Sequence, residues 1–151
     1  MKLSIIIPVY NEERTVLEVL KRISDVAQPA DREIILVDDC SNDGTRALIE
    51  SYIKNAGNGR IRLLSHGVNQ GKGAAVRTGI EAAGGDVILI QDADLEYDPK
   101  DYGVLLEPIL SGLADVVYGS RFLGYKHSVQ VFWHAAGNKL ITFLSNIFTN
   151  I

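Results

Sequence analysis

Short apolar runs alternate with longer amphipathic segments along most of the chain. The short runs are typical of buried strands, and they are Leu3–Val9, Glu33–Val37, Arg60–Ser65, Asp86–Gln91 and Asp115–Tyr118. The longer segments have helical spacing, and they are Glu12–Val26, Gly44–Asn55, Gly71–Ala83 and Pro99–Leu110. Strands that alternate with crossover helices predict an α/β fold with a Rossmann-like, doubly wound and mostly parallel sheet.

Two of the predicted helices carry clear local signals. The first has one apolar stripe, formed by Val16, Val19, Leu20 and Ile23. The fourth begins at Pro99, with Asp98 in position to cap it. No repeat or linker interrupts the pattern, and 151 residues are enough to bury the core of one domain. We therefore predict a single domain over residues 1–151.

Polar residues gather where the predicted strands end. The clusters are Tyr10-Asn11-Glu12, Asp38-Asp39, Gln70-Gly71-Lys72, Asp92-Ala93-Asp94 and Ser120-Arg121. In a doubly wound sheet, ligands bind beyond the carboxyl ends of the strands. Scattered surface polarity would not favour one end of the sheet, so this clustering predicts a binding site there.

Asp92 and Asp94 are the most informative pair. Two carboxylates next to the end of a buried strand repel each other unless a cation or hydrogen-bond donors compensate them. A divalent metal that carries a diphosphate fits this role, because Mg²⁺ is usually bound by one or two carboxylates plus phosphate oxygens. A solvated turn is the competing interpretation, because aspartate is common in turns.

The other clusters suggest contacts to a nucleotide diphospho-sugar, each beside a simpler alternative. Tyr10 is suited to stacking on a base or to filling a gap between strand and helix. Asp39 is suited to accepting a hydrogen bond from a base N–H. Asp38 is one step nearer the strand and is equally well suited to a structural cap. Lys72 offers a point charge to phosphate, or is a solvated lysine in an exposed turn. Arg121 offers a bidentate fork to phosphate, or is a surface residue.

Several classes of protein are excluded or disfavoured. The turn after the first predicted strand contains no glycine, so a dinucleotide fingerprint is absent, and the spacing around Gly71-Lys72-Gly73 does not fit a P-loop. The net charge of −4 argues against a general nucleic-acid binder. Cys40 is the single cysteine, which rules out an internal disulfide. No secretory signal or membrane span is recognisable.

Taken in order, the motifs resemble glycosyltransferase family 2. The matching branch is the dolichyl-phosphate mannose or glucose synthase type, which includes bacterial undecaprenyl-phosphate sugar transferases. The resemblance spans almost the whole chain and rests on Ile5-Ile6-Ile7-Pro8-Val9-Tyr10-Asn11-Glu12-Glu13, Ile35-Leu36-Val37-Asp38-Asp39, Asn69-Gln70-Gly71-Lys72-Gly73, Asp92-Ala93-Asp94-Leu95 and Gly119-Ser120-Arg121-Phe122.

This resemblance implies a GT-A fold and an inverting transfer of a hexose from GDP-mannose or UDP-glucose to a polyprenyl phosphate. It implies that four residues surround the donor nucleoside, namely Pro8, Tyr10, Glu12 and Asp39. Lys72 would lie near the base or diphosphate. Asp92 and Asp94 would hold Mg²⁺ or Mn²⁺, Asp92 also contacting the nucleotide sugar. Asp94 and Arg121 would be the catalytic residues, with Arg121 steadying the phosphates.

The chain departs from the family pattern at its end. Relatives continue beyond a helix like Phe132–Phe148, so we expect the domain to be truncated on its C-terminal side. The apolar stripe of that segment favours burial in the core or in a homo-oligomer, with peripheral contact at the cytoplasmic membrane face second. Two alternative functions stay open: transfer to a sugar or protein hydroxyl, and nucleotide-sugar binding without turnover.

Overall fold

The computed structural model describes residues 1–26, 31–57 and 59–119. Within them the strands are β1 (Lys2–Val9), β2 (Asp31–Asp38), β3 (Ile61–Ser65) and β4 (Val87–Ile90). The helices are α1 (Val16–Asp25), α2 (Thr45–Ala56), α3 (Lys72–Ala82) and α4 (Tyr102–Leu110), with a 3-10 turn at Pro99–Asp101. The strands form one four-stranded sheet in the order β3-β2-β1-β4, and every pairing is parallel.

Helices pack on both faces of this sheet. On one face, alternate residues of β1 such as Ile5 and Ile7 pack with the predicted α1 stripe. Together they form the main core, in which Leu20 is 1% exposed. On the other face, Ile35 and Val37 of β2 pack with Ala75 of α3. Each fully buried aliphatic side chain contributes about 1.5–3 kcal/mol of hydrophobic stabilisation. The doubly wound, parallel α/β fold is as predicted.

Helix α3 lies very close to the sheet at Gly79. A Cβ atom at this position would overlap Cγ2 of Ile6 on β1. The missing side chain therefore lets the helix backbone approach the strand. This close packing fixes α3, which begins at Lys72, relative to the carboxyl end of β1.

The structure differs most from the predicted elements at three places. Asp115–Tyr118, predicted as a fifth strand, is irregular, and Tyr118 is 89% exposed. A β-type pattern needs a paired neighbour to become a strand, and none of the described strands pairs with it. Helix α1 begins at Val16 rather than at Glu12, because the Glu12 carbonyl accepts the Thr15 amide in a preceding turn. The fourth helix opens with the 3-10 turn, which Asp98 caps as predicted by accepting from the Lys100 amide.

The strand order creates a crevice at one edge of the sheet. The chain moves outward from β1 to β2 and β3, and then returns to the other side of β1 as β4. Connections leave β1 and β4 in different directions at such a point, which opens a space beyond their carboxyl ends. Tyr10 follows β1 and Asp92 follows β4, so both predicted clusters border this space.

Candidate functional site

A cavity of about 460 Å³ lies at the switch point of the sheet. It is lined by every predicted site residue that the structure describes, namely Pro8, Tyr10, Glu12, Asp39, Lys72, Asp92 and Asp94. Arg121 lies outside the described residues, and so does the C-terminal segment for which oligomer and membrane contacts are predicted. Side chains from four separate parts of the chain therefore meet in one cavity, as the strand-end clustering predicts.

Asp39 is a buried polar residue in the wall of this cavity and is 2% exposed. Its Oδ1 accepts from the Gln70 amide at 2.9 Å and lies 2.7 Å from His66 Nδ1, and its Oδ2 accepts from the Gly71 amide at 2.7 Å. Burial alone raises the pKa of this carboxyl, but the hydrogen bonds from Gln70, His66 and Gly71 outweigh burial and lower it. Asp39 is therefore ionised at neutral pH and holds the turn that leads into α3.

Asp38, next to it, has a structural role. It is 1% exposed, and its Oδ1 accepts from the Ser41 amide at 3.2 Å. Of the two aspartates that end β2, only Asp39 lines the cavity. This division agrees with the alternatives that the sequence left open for the pair.

Lys72 and Asp92 form an ion pair across the cavity. Lys72 Nζ lies 2.6 Å from Asp92 Oδ1, and the two side chains are 63% and 15% exposed. Gly71 immediately before the lysine has φ of +89°, a conformation that a side chain at Cβ strains. The turn thus aims Lys72 from the start of α3 at the end of β4, where it balances one charge of the aspartate pair.

The loop that carries Asp92 and Asp94 is anchored by Gln91. This side chain is 1% exposed; its Nε2 donates to the carbonyls of Asp92 at 2.9 Å and Tyr97 at 3.4 Å. The Tyr102 hydroxyl in turn donates to Gln91 Oε1 at 2.6 Å. Burial raises the pKa of Tyr102, so its hydroxyl remains a donor. The loop is therefore clamped at both ends from inside the fold.

Sequence reasoning missed Gln91, Tyr102 and His66. An amide at the end of an apolar strand is a weak signal for Gln91, because a buried amide needs partners. Tyr102 is eleven residues further along and His66 is 27 residues from Asp39. Such pairs have no fixed spacing, so only the fold reveals them.

The turn after β1 is held by the loop that follows β2 and by the first residue of α2. Asn11, which has φ of +56°, donates its amide to Ser41 Oγ at 3.0 Å, and its Oδ1 accepts from the Asn42 amide at 2.9 Å. The Glu12 amide donates to the buried Thr45 Oγ1 at 2.8 Å. These contacts fix the turn while Tyr10, which is 45% exposed, lies at the cavity rim. Its ring is thus available as a stacking surface.

The two aspartates fit an oxygen-preferring divalent ion in one respect. Both line the same cavity and supply carboxylate oxygens. Among the described residues, no group of three or more His, Cys, Asp or Glu side chains is placed to hold a metal. A protein site of two carboxylates suits an ion that takes its other ligands from phosphates and water. Asp94 also accepts the Glu96 amide at 3.0 Å, which fixes its orientation in the loop.

Open parallel α/β sheets bind their ligands at the switch point, where the charged cavity of this domain lies. The family model Glycosyl transferase family 2 matches residues 4–150. The chain belongs to glycosyl transferase family 2, as its motifs predict, and its solved structural neighbours have the GT-A fold.

Two curated relatives illustrate the branch. The chain is 35% identical to a dolichol-phosphate mannosyltransferase of Pyrococcus furiosus over 82% of its own length and 34% of the relative's. It is 36% identical to an undecaprenyl-phosphate 4-deoxy-4-formamido-L-arabinose transferase of Aeromonas hydrophila over 76% of its own length and 35% of the relative's. The chain thus spans about a third of the length of these relatives. Both belong to the predicted polyprenyl-phosphate branch.

Two solved structures show the same fold. A mannosyltransferase from Pyrobaculum calidifontis in complex with GDP-Man and Mn2+ has a TM-score of 0.63 and 29% identity, covering 75% of this chain and 32% of that one. Glucosyl-3-phosphoglycerate synthase from Mycobacterium tuberculosis, in complex with Mn2+, UDP and glucosyl-3-phosphoglycerate, has a TM-score of 0.58 and 28% identity, covering 73% of this chain and 40% of that one.

A membrane span requires a helix of sufficient length and hydropathy. Within residues 1–26, 31–57 and 59–119, no helix is long and apolar enough to cross a membrane.

Proposed function

We propose that this chain is the donor-binding part of an inverting glycosyltransferase that moves a hexose from a nucleotide diphospho-sugar to a polyprenyl phosphate. One observation carries the proposal: aromatic, acidic and basic groups from four strand ends line a single cavity. The family membership and the names of the curated relatives support the same reaction.

The nucleoside of the donor would lie against the ends of β1 and β2. Tyr10 offers a stacking surface, and Asp39 offers a charged acceptor to a base N–H, while Pro8 and Glu12 complete this side of the cavity. GDP-mannose and UDP-glucose are both candidate donors, because stacking and one carboxylate serve either base. The solved neighbours bind one or the other class of nucleotide.

The diphosphate would lie between α3 and the Asp92 loop. Asp92 and Asp94 would hold Mg²⁺ or Mn²⁺, which, when bound, neutralises the departing nucleoside diphosphate. Lys72 would exchange its contact with Asp92 for one with the diphosphate. Arg121 would supply a further positive charge to the phosphates of donor or acceptor. Positive charge placed in advance of bond breaking stabilises the charge that develops on the leaving group.

A phosphate acceptor simplifies the chemistry that the protein must supply. A polyprenyl phosphate is already anionic, so it attacks the sugar without a general base. A hydroxyl acceptor would require a positioned carboxylate to remove its proton. Asp94 would then have to act both toward the metal and toward the acceptor. The lipid acceptor also implies peripheral contact with the cytoplasmic face of a membrane.

The test is a transfer assay with the purified chain, Mn²⁺ and radiolabelled GDP-mannose or UDP-glucose. Undecaprenyl phosphate in detergent is compared with an oligosaccharide and with water as acceptors. We expect label in the lipid fraction with one donor, and loss of that label in Asp94→Ala but not in Asp31→Ala, an exposed residue at the opposite end of β2. Transfer only to the oligosaccharide would contradict the lipid acceptor, and the absence of binding of either donor would contradict the proposal as a whole.

A further inference from the structure

His66 joins three elements behind the wall of the cavity. Its Nδ1 lies 2.7 Å from Asp39 Oδ1 and its Nε2 lies 2.9 Å from Oγ1 of Thr78 on α3. The His66 amide donates to the Asp38 carbonyl at 2.9 Å. The imidazole side chain is 10% exposed. The ends of β2 and β3 and the middle of α3 are thus linked through one ring.

The hydrogen-bond roles in this chain of groups follow from Asp39. An ionised carboxylate only accepts, so His66 Nδ1 must carry a proton and donate it. In the neutral ring Nε2 then accepts from the Thr78 hydroxyl, and in the charged ring Nε2 donates to the same hydroxyl. The link from Thr78 to Asp39 therefore holds in both states of the imidazole.

Asp39 has one acceptor position to spare. A carboxylate offers about four such positions. His66 and the Gln70 amide use Oδ1, and the Gly71 amide uses Oδ2. The remaining position is on Oδ2, and Asp39 lines the cavity. Gln70 and Gly71 belong to one turn, so His66 is the donor that holds the carboxylate from the β3 side.

We propose that His66, backed by Thr78, is a positioning residue that holds the spare acceptor of Asp39 toward the cavity for an N–H group of the donor's nucleobase. The inference rests on the proposed function, because it requires a nucleoside diphosphate in this cavity. It adds a residue pair that sets affinity for the base without touching the ligand.

The phosphate side of the cavity has support of its own. The Gly71 carbonyl accepts from the amides of Ala74 and Ala75, which anchors the start of α3. Lys72 is held by Asp92 on the opposite wall. Loss of the His66 hydrogen bond should therefore weaken the base contact and leave the diphosphate contact in place.

The test uses calorimetric titration of UDP, GDP and inorganic pyrophosphate, each with Mn²⁺, into the wild type and three variants. His66→Phe removes both ring hydrogen bonds, and we expect it to weaken the preferred nucleotide about tenfold, as for a lost hydrogen bond to a charged group. Pyrophosphate should change less than about twofold. His66→Asn keeps a donor near the Nδ1 position and should bind the nucleotide within about threefold of wild type.

Thr78→Val removes the hydroxyl at nearly constant volume, and it replaces His66→Phe as the test variant if His66→Phe does not fold. We expect it to weaken the nucleotide about threefold, again with pyrophosphate unchanged. A double-mutant cycle with Asp39→Asn adds a second criterion: the His66→Phe loss should be absent when Asp39 is already replaced. If His66 had a purely structural role, the losses of nucleotide affinity caused by His66→Phe and by Asp39→Asn would add in the double variant.

The outcomes separate this inference from the proposed function. If the wild type binds neither UDP nor GDP, the proposed function fails. If the wild type binds a nucleotide but the His66 and Thr78 variants bind it equally well, the positioning role is wrong while the proposed function stands. Equal losses for the nucleotide and for pyrophosphate would also overturn the positioning role.

Discussion

Lys72 Nζ lies 2.6 Å from Asp92 Oδ1, so a lysine at the start of α3 balances the charge of a carboxylate at the end of β4. Both side chains belong to the β3-α3-β4 crossover unit, and they meet because α3 packs on β1, the neighbour of β4 in the sheet. Lys72 thus occupies a carboxylate that is also a candidate metal ligand. A metal held by Asp92 would compete with Lys72 for this carboxylate, and a displaced lysine would be available to phosphate.

Removing Lys72 should separate metal binding from nucleotide binding. In Lys72→Gln, Asp92 loses its competing cation, so the affinity for Mn²⁺ alone should rise about threefold, while the affinity for the Mn²⁺ complex of the preferred nucleoside diphosphate should fall about tenfold. The free energy of unfolding should change by less than about 1 kcal/mol, because the lysine is exposed. Calorimetric titration measures the binding constants.

Lys54→Gln, at an exposed position of α2, is the matched control, since it removes the same charge away from the cavity. Equal changes in both variants would mean that only net charge matters.

Replacing Tyr102 should loosen the Asp92 loop from inside the fold. In Tyr102→Phe the buried Gln91 Oε1 loses its donor, which should cost about 1–3 kcal/mol of unfolding free energy in urea. Mn²⁺-dependent nucleotide binding should weaken as well, because Gln91 clamps the loop carbonyls of Asp92 and Tyr97.

The double variant Gln91→Met with Tyr102→Phe distinguishes stability from positioning. It removes both partners of the Tyr102–Gln91 hydrogen bond, so it should recover part of the stability that Tyr102→Phe loses, although the Asp92 and Tyr97 carbonyls also lose their donor. It also removes the loop clamp, so nucleotide binding should stay weak. Recovery of binding together with stability would contradict the clamp.

Glu33 should make the fold sensitive to acid. It accepts from Ser4 Oγ and the Gly84 amide, both at 2.7 Å, and pairs with Lys2 and Arg62 at the edge opposite the cavity. Burial alone raises the pKa of this carboxyl, but the hydrogen bonds from Ser4, Gly84 and Lys2 outweigh it and lower the pKa from 4.5 to about 2. The ionised form is thus preferred in the folded state.

The sign of the effect follows from that lowered pKa. Its stabilisation is fully present above pH 4.5, the value for the unfolded chain, and is lost as the pH falls toward 2. At pH 7 the free energy of unfolding in urea should be about 3 kcal/mol higher for the wild type than for Glu33→Gln, and this difference should vanish near pH 2. Glu107→Gln, which replaces an exposed residue of α4, is the control. A difference that is independent of pH would refute the charge argument.

Gly79→Ala should strain the contact between α3 and β1. Its new Cβ would overlap Ile6 Cγ2, and such overpacking costs about 1–3 kcal/mol. Gly73→Ala in the same helix meets nothing within 4 Å and should be neutral or stabilise by about 0.5–1 kcal/mol. Thermal unfolding of both variants measures the difference. Equal stability of the two would mean that the helix does not pack this closely.

The features that depend on local sequence pattern and on the order of the elements were predicted from the sequence. The α1 stripe packs on β1 as expected. Asp92 and Asp94 line one cavity with Lys72, because parallel strands bring their carboxyl ends to one edge of the sheet. Asp115–Tyr118 was wrongly predicted as a strand, because its apolar pattern has no paired neighbour among the described strands. His66 and Gln91 depend on partners supplied by the fold, which no spacing along the chain reveals.

The most direct test of the central claim is a titration of GDP and UDP into the wild type and into Asp94→Ala, with and without Mn²⁺. The proposed site predicts that one nucleotide binds the wild type at least about tenfold more tightly with Mn²⁺ than without it. In Asp94→Ala that increment should be lost, while the metal-independent binding remains. Absence of nucleotide binding to the wild type under every metal condition would contradict the account.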